Sequence, residues 1–117
     1  MTLLNPNVPQ GVNAESITAS SAKLKWIPVT GAKSYVLHYA VDDSDPHAAI
    51  YMHYTETPEF TLNDTVFNAP LTGKKLYIYI QSYNKTFAGA DEIQQAQNAN
   101  STGNGSSWSD VLIIDFP

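Results

Sequence analysis

The chain has no cysteine and no arginine, and none of its apolar runs reaches the roughly 18 residues that a membrane-crossing helix needs. Each absence excludes something. Without cysteine no disulfide can staple the fold, so a complete packed core must hold it, and the redox compartment stays open. Without a long apolar run, no membrane insertion is expected. Without arginine, all six basic residues are lysines, set against eleven acidic ones for a net charge of −5. A nucleic-acid partner calls for a basic patch and favours arginine as its reader of bases and phosphates. Neither nucleic acid nor an anionic membrane surface is expected here. Catalytic signatures are missing as well: there is no Gly-x-Ser-x-Gly and no phosphate-cradling glycine loop. No enzymatic activity and no cofactor are expected. Met1 to Gln10 has no basic segment followed by an apolar stretch, so no secretory signal is expected either.

What the chain does have is enough apolar material for one core: 117 residues, 43% hydrophobic and only 15% charged. Residues 1–10, rich in Pro and Asn, read as an N-terminal arm or linker, and residues 11–117 as one domain. Val12, Ala14 and Ile17 predict an irregular first strand. Ala22, Leu24 and Trp26 alternate with Ser21, Lys23 and Lys25, the pattern of a half-buried strand that Pro28 ends. Tyr35, Leu37, Tyr39 and Val41 alternate with Val36, His38 and Ala40. Asp42 to Pro46 is a turn by composition. Strands follow at Ala49–Thr55, Glu59–Leu62, Lys75–Tyr83 and Trp108–Phe116, with a loop over Asn63–Gly73. Between the last two strands runs a long polar loop at about residues 85–107, with a helical turn or two at Ala90–Gln97. Its Asn98–Ser107 part has few apolar anchors and is expected to be flexible or ordered only by contacts. Seven short strands and no long helix predict an all-β, antiparallel sandwich. Its expected core is Leu24, Trp26, Tyr35, Leu37, Tyr39, Leu76, Ile78, Ile80, Leu112, Ile114 and Phe116.

Several stretches carry a resemblance. Gly11-Val12-Asn13-Ala14 and Ser21-Ala22-Lys23-Leu24-Lys25-Trp26-Ile27-Pro28 resemble the opening strands of immunoglobulin-like fibronectin type III domains, which place a core Trp on the second strand with Pro soon after. Gly31 to Tyr39 is similar to that family's third strand, Leu76 to Asn84 to its sixth, and Ser107-Trp108-Ser109 to the entry of its seventh. In order, these cover about nine-tenths of the chain. Two departures stand out. The family's Leu-x-Pro-x-Thr-x-Tyr corner is one residue short in Leu71-Thr72-Gly73-Lys74-Lys75-Leu76, with Leu76 where the Tyr belongs. The sixth-to-seventh connection exceeds twenty residues, a length that compact domains reserve for functional or disordered loops.

The run from Tyr35 through Tyr54 and the Leu76–Asn84 and Ser107–Ser109 segments further resemble fibronectin-like domains of tail proteins from phages of Gram-positive bacteria. That resemblance implies a structural or adhesion module of a virion, or otherwise of a cell surface. Its partners would be other virion or cell-surface proteins, or host cell-envelope glycans. An accessory or spacer module of a bacterial extracellular enzyme, or a cell-adhesion module, is the alternative. Asn63, Asn84, Asn100 and Asn104 each start an Asn-x-Ser/Thr triplet, which in an Asn-rich phage or bacterial protein is coincidence.

Candidate sites are few. His38 and His53 fall on adjacent strands, but two histidines without further ligands are a poor metal site, and no metal is expected. Asp42, Asp43 and Asp45 lack the glycine and distal glutamate of a calcium loop and read as a solvated turn. Asp91 and Glu92 suit a helix N-terminus. The sharpest expectation comes from the faces the core does not use. If Leu76, Ile78 and Ile80 point inward, Tyr77, Tyr79 and Tyr83 point outward, beside Val36 and His38 on one neighbouring strand and Val111 and Ile113 on the other. Such an aromatic stripe, where Lys, Glu and Thr are usual, is expected to be a contact face, or else a plain surface on which aromatics simply favour strands and their hydroxyls keep the face soluble. The long loop could instead fold back over it, anchored by Phe87 and Ile93.

Overall fold

The structure, a computed structural model, describes residues 7–117. Seven strands form two antiparallel sheets. They are β1 Asn13–Glu15, β2 Ser21–Lys25, β3 Ser34–Val41, β4 Tyr51–Thr55, β5 Glu59–Asn63, β6 Lys75–Tyr83 and β7 Leu112–Asp115. One sheet runs β1-β2-β5 and the other β4-β3-β6-β7. Two helices are added, α1 Asp64–Phe67 and α2 Glu92–Thr102, with a 3-10 turn at Pro46–Ala48. The expected seven-stranded sandwich is the observed one.

Alternation sets its core. Leu24 and Ala22 of β2 face Leu37, Tyr39, Ile78 and Ile80 of the opposite sheet, with Leu76 and Ile114 beside them, all buried. Trp26 and Tyr35 meet edge-on with ring centroids 5.2 Å apart. The Tyr35 hydroxyl accepts from the Val29 amide at 3.0 Å, which ties the turn after β2 to the core. Of the core residues expected from the sequence, only Leu112 is partly rather than fully buried.

Some boundaries differ from expectation for local reasons. Residues 1–6 of the expected arm lie outside the described residues, but residues 7–10 are not a free linker. Pro9 is buried, the Ser82 hydroxyl donates to the Asn7 carbonyl at 2.7 Å, and the Ile27 amide donates to Gln10. The first strand is only three residues long: Ser16 takes a positive φ of 55°, which breaks the pairing and leaves Ile17 exposed. The corner before β6 has no tyrosine hydroxyl. Leu71 and Leu76 are both buried, and backbone bonds close the turn, Lys74 to Leu71 and Gly73 to Phe116, with Gly73 at φ 77°.

The last strand also starts later than expected. Between Ser106 and Asp110 the chain tracks β6, but serine hydroxyls replace part of the ladder. Ser106 Oγ accepts from the Ser82 amide and Ser109 Oγ from the Ile80 amide. A hydroxyl that takes a backbone donor displaces the regular pairing, so regular β7 begins only at Leu112.

The long connection is the larger departure. The helix is not a turn or two at Ala90–Gln97 but the eleven residues of α2, so Asn98–Thr102 are helical. Asp91 caps it by accepting from the Gln94 amide at 2.8 Å, and Gly103 ends it in the left-handed region. Its buried face is Ala96 and Ala99 alone. Contacts order the remainder: Gly105 lies against Gln81 and Tyr83, and Ser106 is bonded to Ser82.

Candidate functional site

Strands β3, β6 and β7 lie side by side as expected, but their outer face is not free. Val36 and Tyr83 are fully buried under Ala96 and Ala99 of α2, with Tyr54 completing the cluster. Phe87 packs edge-on against Tyr83 at 5.3 Å, and its amide donates to the Tyr54 hydroxyl. Farther along, Trp108 stacks on His38 at 4.3 Å and leans on Tyr79 at 5.1 Å, burying both. Of the expected contact stripe, Val36 and Tyr83 thus lie in one small satellite core and Tyr79, with His38 beneath Trp108, in another. Only Val111 and Ile113 remain exposed, and Tyr77 is half-buried. The physical reason is economy of apolar surface: a patch that size is covered when the chain itself can reach it. Of the two expected anchors, Phe87 serves and Ile93 does not, since Ile93 points to solvent.

The polar groups inside this cover satisfy one another. Gln81 Nε2 donates to the Ser106 carbonyl, and Gln81 Oε1 accepts from the Tyr83 hydroxyl at 3.0 Å. His38 Nε2 lies 2.9 Å from the same Oε1, which can only accept, so His38 carries its proton on Nε2. Burial lowers the His38 pKa and pushes Tyr83 up to about 12.

His53 is not a companion of His38. In the register of β3 and β4 it lies opposite Leu37, while His38 lies opposite Met52, so the two histidines occupy opposite faces of the sheet. They cannot share a ligand. Among the described residues no three His, Cys, Asp or Glu side chains converge on a metal position. His53 Nε2 pairs with the Tyr39 hydroxyl at 2.8 Å. Its Nδ1 lies 3.3 Å from Glu92 Oε1 but is not aligned for a hydrogen bond. Burial pushes the His53 pKa down to about 4, although the nearby Asp91 charge opposes this, and burial raises those of Tyr39 and Glu92. A general base or acid at neutral pH needs a pKa brought toward 7, and the shifts of His53 and Tyr39 run away from it. His53 and Tyr39 are thereby held neutral.

The acidic turn is structural. Asp42 Oδ1 accepts from Lys75, Asp43 Oδ1 from Asp45 and Asp45 Oδ1 from His47, so each carboxylate is spent on a backbone amide.

Sequence reasoning missed a cleft of about 330 Å³ enclosed by β4, α1 and α2. Tyr39 and Tyr51, paired across β3 and β4, stack with centroids 5.4 Å apart and planes at 15°. Phe67 of α1 closes one side, 6.0 and 6.1 Å from the two rings. Ile50, Tyr51 and Ile93 form the lips and are 71%, 47% and 44% exposed. The amides of Asn68 and Gln97 complete the rim, and among the described residues no Asp, Glu or Lys lines the cleft. The alternation of Tyr51 with His53 was a signal in the sequence, but only the pairing register puts Tyr51 against Tyr39.

No family profile matches the sequence, and no curated protein matches it. Solved structures do. The fn3 domain of human collagen alpha-1(XX) chain is 17% identical, with 99% of this chain and 88% of that one covered and a TM-score of 0.62. FN3tt is 16% identical, with 98% and 100% covered and a TM-score of 0.61. The twitchin kinase region from C. elegans is 14% identical, with a TM-score of 0.66 over 97% of this chain but only 17% of that longer one. With the β1-β2-β5 and β4-β3-β6-β7 sheets and the Trp26–Tyr35 core, the chain has the fibronectin type III fold.

Proposed function

We propose that this chain is a non-catalytic contact module of a virion tail, of the kind carried by phages of Gram-positive bacteria, placed against neighbouring subunits or host cell-envelope glycans. The observation that carries the reading is where apolar surface is left open. The chain spends α2 and Trp108 on closing the tyrosine face, yet leaves Ile50, Tyr51 and Ile93 exposed around one uncharged cleft. Clustered exposed apolar side chains are characteristic of contact sites. Tyr39 and His53, which line the cleft, have pKa values moved away from the range of acid–base work. The sequence likeness of Tyr35–Tyr54 and Leu76–Asn84 to phage tail domains supplies the virion setting.

Two measurements test this. Purified chain should co-sediment with isolated Gram-positive cell walls without releasing soluble fragments, and antibodies raised against it should label the tail of a purified virion. Wall fragments released by the pure chain would replace the contact reading with an enzymatic one. Failure of both binding to walls and labelling of tails would remove the virion setting.

A further inference from the structure

We propose that the cleft between β4, α1 and α2 binds a neutral, N-acetylated sugar ring. This deepens the contact-module reading and rests on it. Size comes first. At about 330 Å³ the cleft lies near the lower end of the roughly 300–1,000 Å³ that small-ligand sites span. It accommodates a ring or two rather than a helix or a strand.

The lining then selects the chemistry. Tyr51 is held flat by its stack on Tyr39, with nearly half of its surface in solvent. A rigid aromatic body with a polar tip suits the C–H face of a sugar, which is apolar in the middle and hydroxylated at its edge. The Asn68 and Gln97 amides on the rim make no side-chain hydrogen bond among the described residues, and each offers both a donor and an acceptor. Ring hydroxyls and an acetamido group need that mixture. For the exposed Ile50 and Ile93, an acetamido methyl is an apolar partner that a plain hexose lacks.

Charge excludes the neighbouring classes. A phosphate, carboxylate or ammonium group would lose hydration in a lining without a single Asp, Glu or Lys to pair with it. The net charge of −5 further disfavours anions.

The test is a ¹⁵N–¹H NMR titration of the full chain with the N-acetylglucosamine tetramer. The glucose tetramer serves as the arm lacking acetamido groups, and a dilution series without sugar as the arm for self-contact. The expected result is saturable shifts confined to Tyr51, Asn68, Ile93, Gln97 and their neighbours, with a clearly weaker response to the glucose tetramer. Tyr51→Ala should weaken binding about tenfold, the loss expected for one stacked ring. Asn68→Gly and Gln97→Ala change exposed side chains, and the first keeps the left-handed backbone at that position (φ 61°), so they weaken binding in a folded chain. No saturable shifts, an equal response to both tetramers, or shifts centred elsewhere would overturn the proposal. So would concentration-dependent shifts at Ile50 and Ile93 without any sugar response, which would reassign the lips to protein contact. If the cleft fails while co-sedimentation with cell walls persists, only the sugar site falls and the contact-module reading stands.

Discussion

Acidification should destabilise this domain well above the range in which carboxylates alone act, and His53 is the main reason. Its ordinary pKa of 6.5 applies in the unfolded chain, while burial beside Tyr39 holds it at about 4 in the folded one. Between those values the unfolded state binds the proton and the folded state refuses it. Stability therefore rises with pH through this window, and it is lost as pH falls from about 6.5 toward 4. From pH 7 to pH 4.5 the linkage relation for this pair of pKa values gives a loss of about 2 kcal/mol. With His53 only 3% exposed, solvent screening does little to reduce that figure. His38, also buried with a lowered pKa, adds a loss of the same sign. Glu92 acts oppositely: its raised pKa means the folded state takes up a proton more readily, which offsets part of the loss at the acid end. The assay is urea unfolding followed by Trp fluorescence from pH 7 to pH 4.5, on the wild type and on His53→Gln. Glutamine keeps a polar group near the Tyr39 hydroxyl and does not titrate. The variant should be less stable at pH 7 but lose about 2 kcal/mol less on acidification than the wild type. Equal pH slopes for the two proteins, or a wild type whose stability is flat between pH 7 and pH 5, would refute the reasoning.

Three further outcomes follow from packing. Trp26→Ala removes a ring that is 4% exposed and edge-on to Tyr35, and should cost about 3–5 kcal/mol in the same urea assay. Gly105→Ala would set a methyl 2.5 Å from Gln81 Nε2 and 2.7 Å from Tyr83 Cζ. The segment must then lift, at about 1–3 kcal/mol, with faster hydrogen exchange at the Ser82 and Ser106 amides. Asp91→Ala deletes the α2 cap and should cost about 0.5–2 kcal/mol, read as lost exchange protection in α2 while the β3 and β6 amides stay protected.

The phase of alternation in Ser34–Val41 and Lys75–Tyr83 was enough to place β3 and β6 and to assign Leu37, Tyr39, Ile78 and Ile80 to the interior. A strand shows its two faces to solvent and core in strict alternation, so one strand's pattern carries its own orientation. The same argument named the outer residues Val36, His38, Tyr79 and Tyr83 correctly as one face. It could not say whether that face meets solvent. The cover is made by Ala96 and Ala99, too small to give α2 a strong apolar stripe, and by Trp108, whose neighbours suggested a strand. The cleft was less legible still. Tyr39, Tyr51, Phe67 and Ile93 come from four separate segments, each ordinary by itself. Local patterns set which way each side chain points along its own strand; only the packing of distant segments decides what stands in front of it.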